Sequence, residues 1–263
     1  MKNPEKVIAY VVEWLRSYAE QSGMKGFVVG VSGGIDSAVT STLCSKTGLP
    51  VIALEMPIHQ AANQVSRAQE HLQWLSARFD NVTTNTISLT GVFDAFQKGL
   101  PTTDEQQQQF LSLANTRARF RMATLYYFAA LHRYLVAGTG NKVEDFGVGF
   151  YTKYGDGGVD LSPIADLNKT EVFEIAAHLE VIQSIQTAAP TDGLWDDGRT
   201  DEDQLGASYP EMEWAMEALA QKLHESTMNS RQKEVLNIYQ EHHRKNKHKI
   251  NPIPVCMIPK SLY

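Results

Sequence analysis

A short segment between an apolar stretch and a helical pattern has the residues of a phosphate-binding loop. Residues 27–37 read Phe-Val-Val-Gly-Val-Ser-Gly-Gly-Ile-Asp-Ser. Backbone amides that open a helix have no partners within it, and the helix dipole adds partial positive charge there. Gly33 and Gly34 allow close approach of a ligand, and Ser32 and Ser37 add hydroxyl groups. The segment therefore predicts a site for phosphate groups.

Asp36 is a carboxylate inside this predicted loop, where it would repel phosphate unless a cation lay between them. Its position therefore predicts Mg²⁺ beside the phosphates. An ordinary strand-to-helix turn is the alternative, since glycine and serine are common in such turns. The chain contains neither G-x-x-x-x-G-K-[ST] nor G-x-G-x-x-G, so the signatures of Walker kinases and of dinucleotide-binding folds are absent from the sequence.

A second candidate group follows the fourth predicted strand, in the block Gly-Thr-Gly-Asn-Lys-Val-Glu at 138–144. A doubly wound sheet places its ligands at the carboxyl ends of its strands. Thr139 offers a hydroxyl to a phosphate, and Glu144 offers a second carboxylate. Because Mg²⁺ usually takes one or two carboxylates together with phosphate oxygens and water, Asp36 and Glu144 form a chemically sensible pair.

Short apolar strands alternate with helical stretches along the chain. This pattern predicts an α/β fold with a doubly wound parallel sheet that helices cover on both faces. We predict the strands at 27–31, 51–56, 82–89 and 134–138. A first helix is predicted to begin at Pro4 after an Asn3 cap.

One long helix is predicted at 106–133, and its apolar surface faces either a second subunit or the sheet of its own chain. Later helices are predicted to open at three caps, Asn168 with Glu171, Ser208 with Glu211, and Ser230. The final residues, 250–263, carry three prolines and are expected to be irregular. Residues 192–205 lie in a polar, acidic, turn-rich run, which predicts a mobile lid or a solvated connector.

Length and composition limit the class of protein. With 263 residues of which 43% are hydrophobic, the chain fits one globular α/β domain over 1–263. A formal net charge of -6 argues against a broad nucleic-acid or membrane surface. Cys44 and Cys256 are the only cysteines, and neither a signal peptide nor an apolar run of roughly 18 residues is present. We therefore expect a cytoplasmic protein.

The string Ser-Gly-Gly-Ile-Asp-Ser at 32–37 resembles the signature of the ATP pyrophosphatases, which split ATP into AMP and pyrophosphate while they activate an oxygen as its adenylate. The resemblance implies a Rossmann-like fold of the adenine-nucleotide alpha-hydrolase type. It also implies that the loop holds the pyrophosphate that leaves. The signature by itself says little about the second substrate.

Longer blocks resemble the NAD synthetase family. Its pattern Gly-Thr-x-x-x-x-Glu is met at 138–144, and its pattern Thr-Lys-Tyr-Gly-Asp-Gly-Gly-x-Asp is met at 152–160. The likeness covers nearly the whole chain, because it continues through 115–122, 190–192, 201–209 and 248–252. Some relatives have Gln at the position of Ile35, which is expected to point away from the phosphates. Others have Asp-His in place of Gly140-Asn141, a difference expected to alter contacts near the metal.

The resemblance implies a role for each matching residue. Asp36 and Glu144 are expected to bind Mg²⁺, and Asp36 and Lys169 are expected to be catalytic. The expected ATP site consists of Gly30, Val31, Ser32, Gly33, Gly34, Ile35, Asp36, Ser37, Thr139, Lys169 and Thr191. The expected deamido-NAD site consists of Arg119, Lys153, Asp160, His248 and Lys249. Arg121 is expected either to serve ATP or to be structural.

The resemblance implies a two-step reaction, in which the nicotinate carboxylate of deamido-NAD attacks the α-phosphorus of ATP and releases pyrophosphate. Ammonia then displaces AMP from the adenylate and gives NAD. No segment is left for a glutamine-hydrolysing domain, so ammonia is expected to arrive free or from a partner chain. The resemblance also implies a homodimer.

Two other functions stay open from the sequence. One is a different ATP pyrophosphatase, such as a GMP-synthetase-like amidating subunit or a tRNA-modifying enzyme. Thiolating members generally have cysteine pairs, and RNA-acting members usually have a basic surface. The other is a non-catalytic nucleotide-binding module, against which the charged set Asp36, Glu144 and Lys169 argues.

Overall fold

Four parallel strands form the sheet of the computed structural model, which describes residues 1–60, 62–191 and 200–263. The strands are β1 (Phe27–Gly30), β2 (Val51–Glu55), β3 (Val82–Thr86) and β4 (Leu135–Val136), in the spatial order β3-β2-β1-β4. All four predicted strands are present. Each is shorter than predicted, because the apolar pattern continues past the last residue that pairs with a neighbouring strand.

Helices surround the sheet and follow it in sequence. They are α1 (Pro4–Gln21), α2 (Ile35–Lys46), α3 (Ala62–Arg78), α4 (Thr90–Lys98), α5 (Gln106–His132), α6 (Lys169–His178), α7 (Gln183–Gln186), α8 (Asp201–Leu205), α9 (Tyr209–Ala220) and α10 (Ser230–Ile250). A π-helix covers Val143–Val148, and short 3₁₀ turns cover Glu225–Thr227 and Lys260–Leu262. In the part of the chain that the structure describes, no helix is both long and apolar enough to cross a membrane.

Apolar side chains cover both faces of the sheet. On one face, Val29 and Val51 belong to a buried cluster with residues of α1, α2 and α6. On the other face, Ile52 packs with Phe93 of α4 and Ala129 of α5. Helices on both sides of a parallel sheet make the fold doubly wound, as predicted.

A further apolar cluster lies beside the sheet and holds the π-helix against α9 and α10. Val143 and Val148 of the π-helix are buried there with Met212 of α9 and Leu236 of α10. This packing brings the π-helix, which follows β4, next to the beginning of α9. It therefore fixes the relative positions of residues that lie about 60 positions apart in the sequence.

Most of the predicted helix ends are confirmed. The Asn3 side chain accepts a hydrogen bond from the backbone of Lys6, and capping boxes at Asn168 and Ser208 open α6 and α9. The prediction that Ser230 caps the last long helix is wrong. Asn229 is the cap, because its side chain accepts from the backbone of Gln232 and the Gln232 side chain accepts from Asn229 in return.

The predicted lid lies mainly outside the described residues, which omit 192–199. Its last part, 201–205, is the short helix α8 and not a loop. The Asp201 backbone amide donates to the Pro190 carbonyl at 3.1 Å, so the described residues on either side of 192–199 lie close together. The irregular tail is confirmed at 251–259, since the structure assigns those residues to neither helix nor strand.

Candidate active site

The loop after β1 turns sharply at Gly33, whose φ of +83° is readily adopted only by glycine. Hydrogen bonds within the loop hold this shape. The Ser37 hydroxyl donates to the Gly34 carbonyl at 2.9 Å, and the Ser32 amide donates to the Ser37 hydroxyl oxygen at 3.2 Å. Because α2 begins at Ile35, the amides of its first turn have no acceptors within the helix. The loop thus has the form of an anion site.

The residues Ile35 and Arg67 lie next to this loop and differ in where their side chains point. Ile35 lies in the apolar cluster formed with α1 and α6, so its side chain points away from the loop, as expected from the sequence. Arg67 of α3 donates from Nε to the Gly33 carbonyl oxygen at 3.3 Å. Sequence reasoning did not select this arginine, because it lies 34 residues from Gly33 along the chain. It adds a cation at the edge of the predicted phosphate site.

Lys169 is the first residue of α6 and is buried between the two predicted metal ligands. Its Nζ lies 2.5 Å from Asp36 Oδ2 and 2.9 Å from Glu144 Oε1. The lysine side chain is only 3% exposed. The structure therefore brings Asp36, Glu144 and Lys169 into direct contact, although they come from α2, the π-helix and α6.

Asn141 links the two carboxylates on another side. Its Nδ2 donates to Asp36 Oδ1 at 3.1 Å, and its Oδ1 accepts the backbone amide of Glu144 at 3.1 Å. Asn141 is completely buried. This residue was singled out from the sequence only as a difference from some relatives, and the structure shows that it contacts both Asp36 and the π-helix that carries Glu144.

Tyr209, the first residue of α9, is a further member of the site that sequence reasoning did not assign. Its hydroxyl donates to Glu144 Oε1 at 2.5 Å, and the centre of its ring lies 4.8 Å from Lys169 Nζ. Burial, together with the charges of Glu144 and Asp201, raises the pKa of this hydroxyl well above its usual value. Tyr209 therefore stays protonated and acts as a hydrogen-bond donor.

The two carboxylates respond differently to burial. Desolvation by burial raises the pKa of Asp36 above its ordinary value, against the opposing attraction of Lys169. Burial also acts to raise the pKa of Glu144, but the Lys169 ammonium and the bond from Tyr209 outweigh it and leave that pKa below its ordinary value. One ammonium group thus faces two carboxyl groups, and with both of them ionised the three residues carry a net negative charge that favours a second cation.

Asp145 adds another acidic group next to this trio. Burial, with the nearby charges of Glu144 and Asp156, raises the pKa of Asp145 to about 8. Gly140 makes room for this carboxylate, because a Cβ atom at that position would collide with the Asp145 side chain. Glycine is therefore required at position 140 for Asp145 to keep its place.

Four of the residues predicted for deamido-NAD lie in one connected basic cluster. Arg119 of α5 donates to the Lys153 carbonyl at 3.3 Å, and Lys153 Nζ donates to the His248 carbonyl at 2.7 Å. Lys249 follows in α10, and its Nζ donates to the Tyr151 carbonyl at 2.7 Å. The end of α10 therefore lies against the loop 151–158, and the predicted cations meet there.

Asp160, the fifth predicted residue, lies apart from that cluster. Its Oδ2 accepts the backbone amide of Val136 in β4 at 2.8 Å, and its Oδ1 accepts the Tyr126 hydroxyl of α5 at 2.9 Å. Arg121 likewise has protein partners, since it donates to the Met56 carbonyl at 3.0 Å and to Gln60 Oε1 at 2.7 Å. Burial lowers the pKa of Arg121 to about 10. These contacts give both residues a structural role.

The remaining predicted ATP residues lie close to the carboxyl ends of the strands. Gly30 ends β1, and Val31 is buried directly after it. Thr139 is half-buried after β4, which is the neighbour of β1 in the sheet. Thr191 is exposed at the edge of the described residues. Apart from Thr191, these positions belong to the edge where a doubly wound sheet binds its ligands.

The donor set fits Mg²⁺ together with a nucleotide. Within the described residues, no group of three or more histidine, cysteine or acidic side chains is arranged to hold a metal ion by itself. Asp36 and Glu144 offer two carboxylates beside a loop suited to phosphate. Mg²⁺ commonly takes one or two carboxylates and completes its shell with substrate phosphates and water, so this pair matches that use.

Comparisons with known proteins give a consistent result. The family model described as NAD synthase matches residues 7–253. The NH3-dependent NAD(+) synthetase of Carboxydothermus hydrogenoformans is 38% identical over 213 residues, which are 80% of this chain and 84% of that protein. The NMN synthetase from Francisella tularensis is 31% identical, with a TM-score of 0.81 over 98% of both chains. The NH3-dependent NAD synthetase from Campylobacter jejuni, in complex with the nitrate ion, is 27% identical, with a TM-score of 0.77 over 97% of this chain and 99% of that one.

A parallel doubly wound sheet, a glycine-containing loop with the form of an anion site after its first strand and an adjacent pair of carboxylates are typical of a nucleotide-dependent α/β enzyme. The chain belongs to the NAD synthase family. It is an enzyme that uses ATP and ammonia to amidate deamido-NAD to NAD. The comparisons thereby favour this activity over the other ATP pyrophosphatases and over a non-catalytic module.

Proposed function

We propose that the ATP triphosphate binds at the loop after β1 and that Asp36 and Glu144 hold Mg²⁺ against it. The observation that carries this proposal is the buried contact of Lys169 with both carboxylates. Such a pair requires a positive charge between its members, and the lysine supplies one in the absence of ligands. When bound, Mg²⁺ would neutralise phosphate oxygens and favour attack at the α-phosphorus.

Lys169 has a direct task in this scheme. Its ammonium group lies beside the Asp36 carboxylate. Asp36 is the second residue of α2, so the ammonium group also lies near the backbone amides that open that helix. With ATP present, the same group can turn to a phosphate oxygen and balance the charge that develops on the leaving pyrophosphate. Asp36 and Lys169 therefore act through position and charge, and no side-chain nucleophile is needed.

The basic cluster at the end of α10 supports a site for the dinucleotide substrate. Arg119, Lys153, His248 and Lys249 lie around the loop 151–158. Deamido-NAD carries a pyrophosphate and a nicotinate carboxylate, which guanidinium and ammonium groups recognise well. We propose that Asp160 contributes to this site indirectly, because its hydrogen bonds to Val136 and Tyr126 connect β4 and α5.

Substrate-dependent release of pyrophosphate tests this function. With ATP, Mg²⁺ and ammonia, we expect release with deamido-NAD and none with XMP. AMP and NAD should appear in equal amounts, as an adenylate intermediate requires. Release that depends on XMP alone would instead indicate a GMP-synthetase-like enzyme, and release without any acceptor would contradict both assignments.

One comparison favours a second acceptor. The structure with a TM-score of 0.81 is named an NMN synthetase, and its named product, NMN, is the mononucleotide counterpart of NAD. Nicotinate mononucleotide carries the same carboxylate but lacks the adenylyl half of deamido-NAD. The same assay with this mononucleotide as acceptor measures the preference as a ratio of kcat/KM values. A ratio in its favour would make the mononucleotide the principal substrate.

We further propose that the enzyme is a cytoplasmic homodimer. Tyr127 and Leu131 of α5 are large apolar side chains that are 63% and 61% exposed. Tyr127 also lines an apolar groove of about 450 Å³, together with Ile87, Leu89, Val92, Phe120, Ala123, Thr124 and Phe128. A second copy of the chain would remove this surface from water.

The cysteines support the cytoplasmic part of this proposal. Cys44 is buried, Cys256 is exposed, and both are unpaired, as is usual for cytoplasmic proteins.

A further inference from the structure

Tyr209 meets three charged groups of the site from one position at the start of α9. Its hydroxyl lies 2.5 Å from Glu144 Oε1 and 3.3 Å from Asp201 Oδ2. Its ring lies over the Lys169 ammonium at 4.8 Å. The residue is only 3% exposed, so these contacts are made away from water.

Two side chains hold one oxygen of Glu144. Oε1 accepts hydrogen bonds from both Tyr209 and Lys169. The Asn141 side chain is a further donor to this carboxylate. The Tyr209 bond therefore helps to fix the direction in which the Glu144 carboxylate faces. A donor that fixes one atom of a metal ligand orients the rest of it.

The helix α8 holds Tyr209 in this place. Glu202 Oε1 accepts the backbone amide of Tyr209 at 2.7 Å, and Asp201 of the same helix faces the tyrosine hydroxyl. Gly206, in a left-handed conformation, ends α8 just before α9 begins. Two short segments of chain thus form one support behind Glu144.

We propose that Tyr209 is a positioning residue, which orients Glu144 to bind Mg²⁺ and is itself held by α8. This inference rests on the proposed role of Glu144 as a metal ligand. It assigns to residues 201–209 the function of holding a metal ligand in place, which does not require contact with either substrate. The metal ligand on the π-helix is then set by residues that come about 60 positions later.

The substitution Tyr209→Phe tests the proposal, because it removes the hydroxyl and keeps the ring over Lys169. Mn²⁺ serves as the probe, and its binding to the full-length protein is measured by electron paramagnetic resonance with ATP present. We expect roughly tenfold weaker Mn²⁺ binding, the usual effect of losing an outer partner of a metal ligand. The Mg²⁺ concentration for half-maximal pyrophosphate release should rise by a similar factor, with the KM for deamido-NAD unchanged.

Tyr239→Phe is the matched control, since Tyr239 is a buried tyrosine of the same apolar cluster and is not one of the donors to the Glu144 carboxylate, which are Tyr209, Lys169 and Asn141. It should bind Mn²⁺ like the parent protein. Unchanged Mn²⁺ binding by folded Tyr209→Phe would overturn the proposal. If that variant does not fold, Glu202→Leu replaces it, because it removes the acceptor of the Tyr209 backbone amide and leaves the hydroxyl. Equal Mn²⁺ affinity of Glu202→Leu and the parent would then overturn the proposal.

Glu144→Gln separates this inference from the function on which it rests. If Glu144→Gln binds Mn²⁺ as the parent does, the proposed metal site itself is wrong. If Glu144→Gln loses Mn²⁺ and Tyr209→Phe does not, the metal site stands and only the role of Tyr209 is wrong. Loss in both variants supports both assignments.

Discussion

The Asn141 amide nitrogen donates to Asp36 Oδ1 across 105 residues of sequence, at 3.1 Å. This bond joins the loop after β4 to the first turn of α2, the helix that follows β1. It therefore connects the carboxyl ends of β1 and β4, the two neighbouring strands at which the strand order reverses. The side-chain oxygen Oδ1 of Asn141 also accepts the backbone amide of Glu144. A single buried amide thus sets the spacing of the two proposed metal ligands.

The substitution Asn141→Ala should lower the free energy of unfolding by about 1–3 kcal/mol, because it leaves buried polar partners without their hydrogen bonds. Urea unfolding at pH 7 measures this change. Asn85→Ala on the exposed edge strand β3 is the control and should change the value by less than about 0.5 kcal/mol. Equal effects of the two substitutions would show that the Asn141 bridge adds nothing to stability.

Asp36→Ala should abolish pyrophosphate release and leave the fold intact. Because burial raises the pKa of Asp36, its charged form is held in the fold at a cost, and removal of that cost offsets part of the lost contacts with Lys169 and Asn141. We expect a free energy of unfolding about 1–3 kcal/mol below that of the parent, with a folded protein at pH 7. A folded variant with a near-normal rate in Mg²⁺ would contradict the proposed metal role.

Buried His71 should make the protein less stable in mild acid. Burial lowers the pKa of His71 from 6.5 to about 4. The unfolded chain therefore takes up a proton before the folded chain does, so stability present above pH 6.5 is lost as the pH falls toward 4. The full loss is about 3 kcal/mol. Urea unfolding at pH 7 and pH 5 should show a smaller decrease for His71→Phe than for the parent or for exposed His178→Gln.

Asp160→Ala should lower the free energy of unfolding by about 1–3 kcal/mol, since the Val136 amide loses its acceptor. Tyr126→Phe, which removes only the bond to the other Asp160 oxygen, should have a smaller effect. The KM for deamido-NAD, measured with both variants, tests the role implied by family resemblance. A raised KM with unchanged stability would show that Asp160 serves the substrate and not the sheet.

Leu131→Glu should convert the proposed dimer to a monomer, because it places a charge in the apolar surface of α5. Sedimentation equilibrium would then give a mass near the 29.3 kDa of one chain. Leu219→Glu on α9 is the matched control, as Leu219 is 38% exposed and lies on another helix. A parent protein that sediments as a monomer would disprove the proposed homodimer.

Much of the fold was predictable from local patterns. The four strands, the long helix α5 and the caps at Asn3, Asn168 and Ser208 each depend on a few neighbouring residues. The error at Ser230 has the same local origin, because Asn229 stands next to it and is an equally good cap. Strand ends were too long because apolar residues such as Val31 and Met56 continue into the buried loops.

The site was predictable only in part. The loop at 32–37 can be predicted because its glycines, hydroxyl groups and carboxylate lie in consecutive residues. The contacts of Lys169, Asn141 and Tyr209 depend on how elements distant in the sequence pack together. No spacing of residues along the sequence indicates that packing. Asp160 illustrates the converse, since a residue matched to a family motif has backbone and tyrosine partners that the sequence does not show.

The wide spread of the site along the chain bears on the order of events during synthesis. Asp36 and Lys169 are 133 residues apart, and Glu144 and Tyr209 are 65 residues apart. A growing chain can therefore pair β1 with β2 and β3 long before the proposed nucleotide site is complete. From that proposed site we expect ATP affinity only after α6 and α9 have been synthesised, so ATP should stabilise the finished protein and not its earlier intermediates.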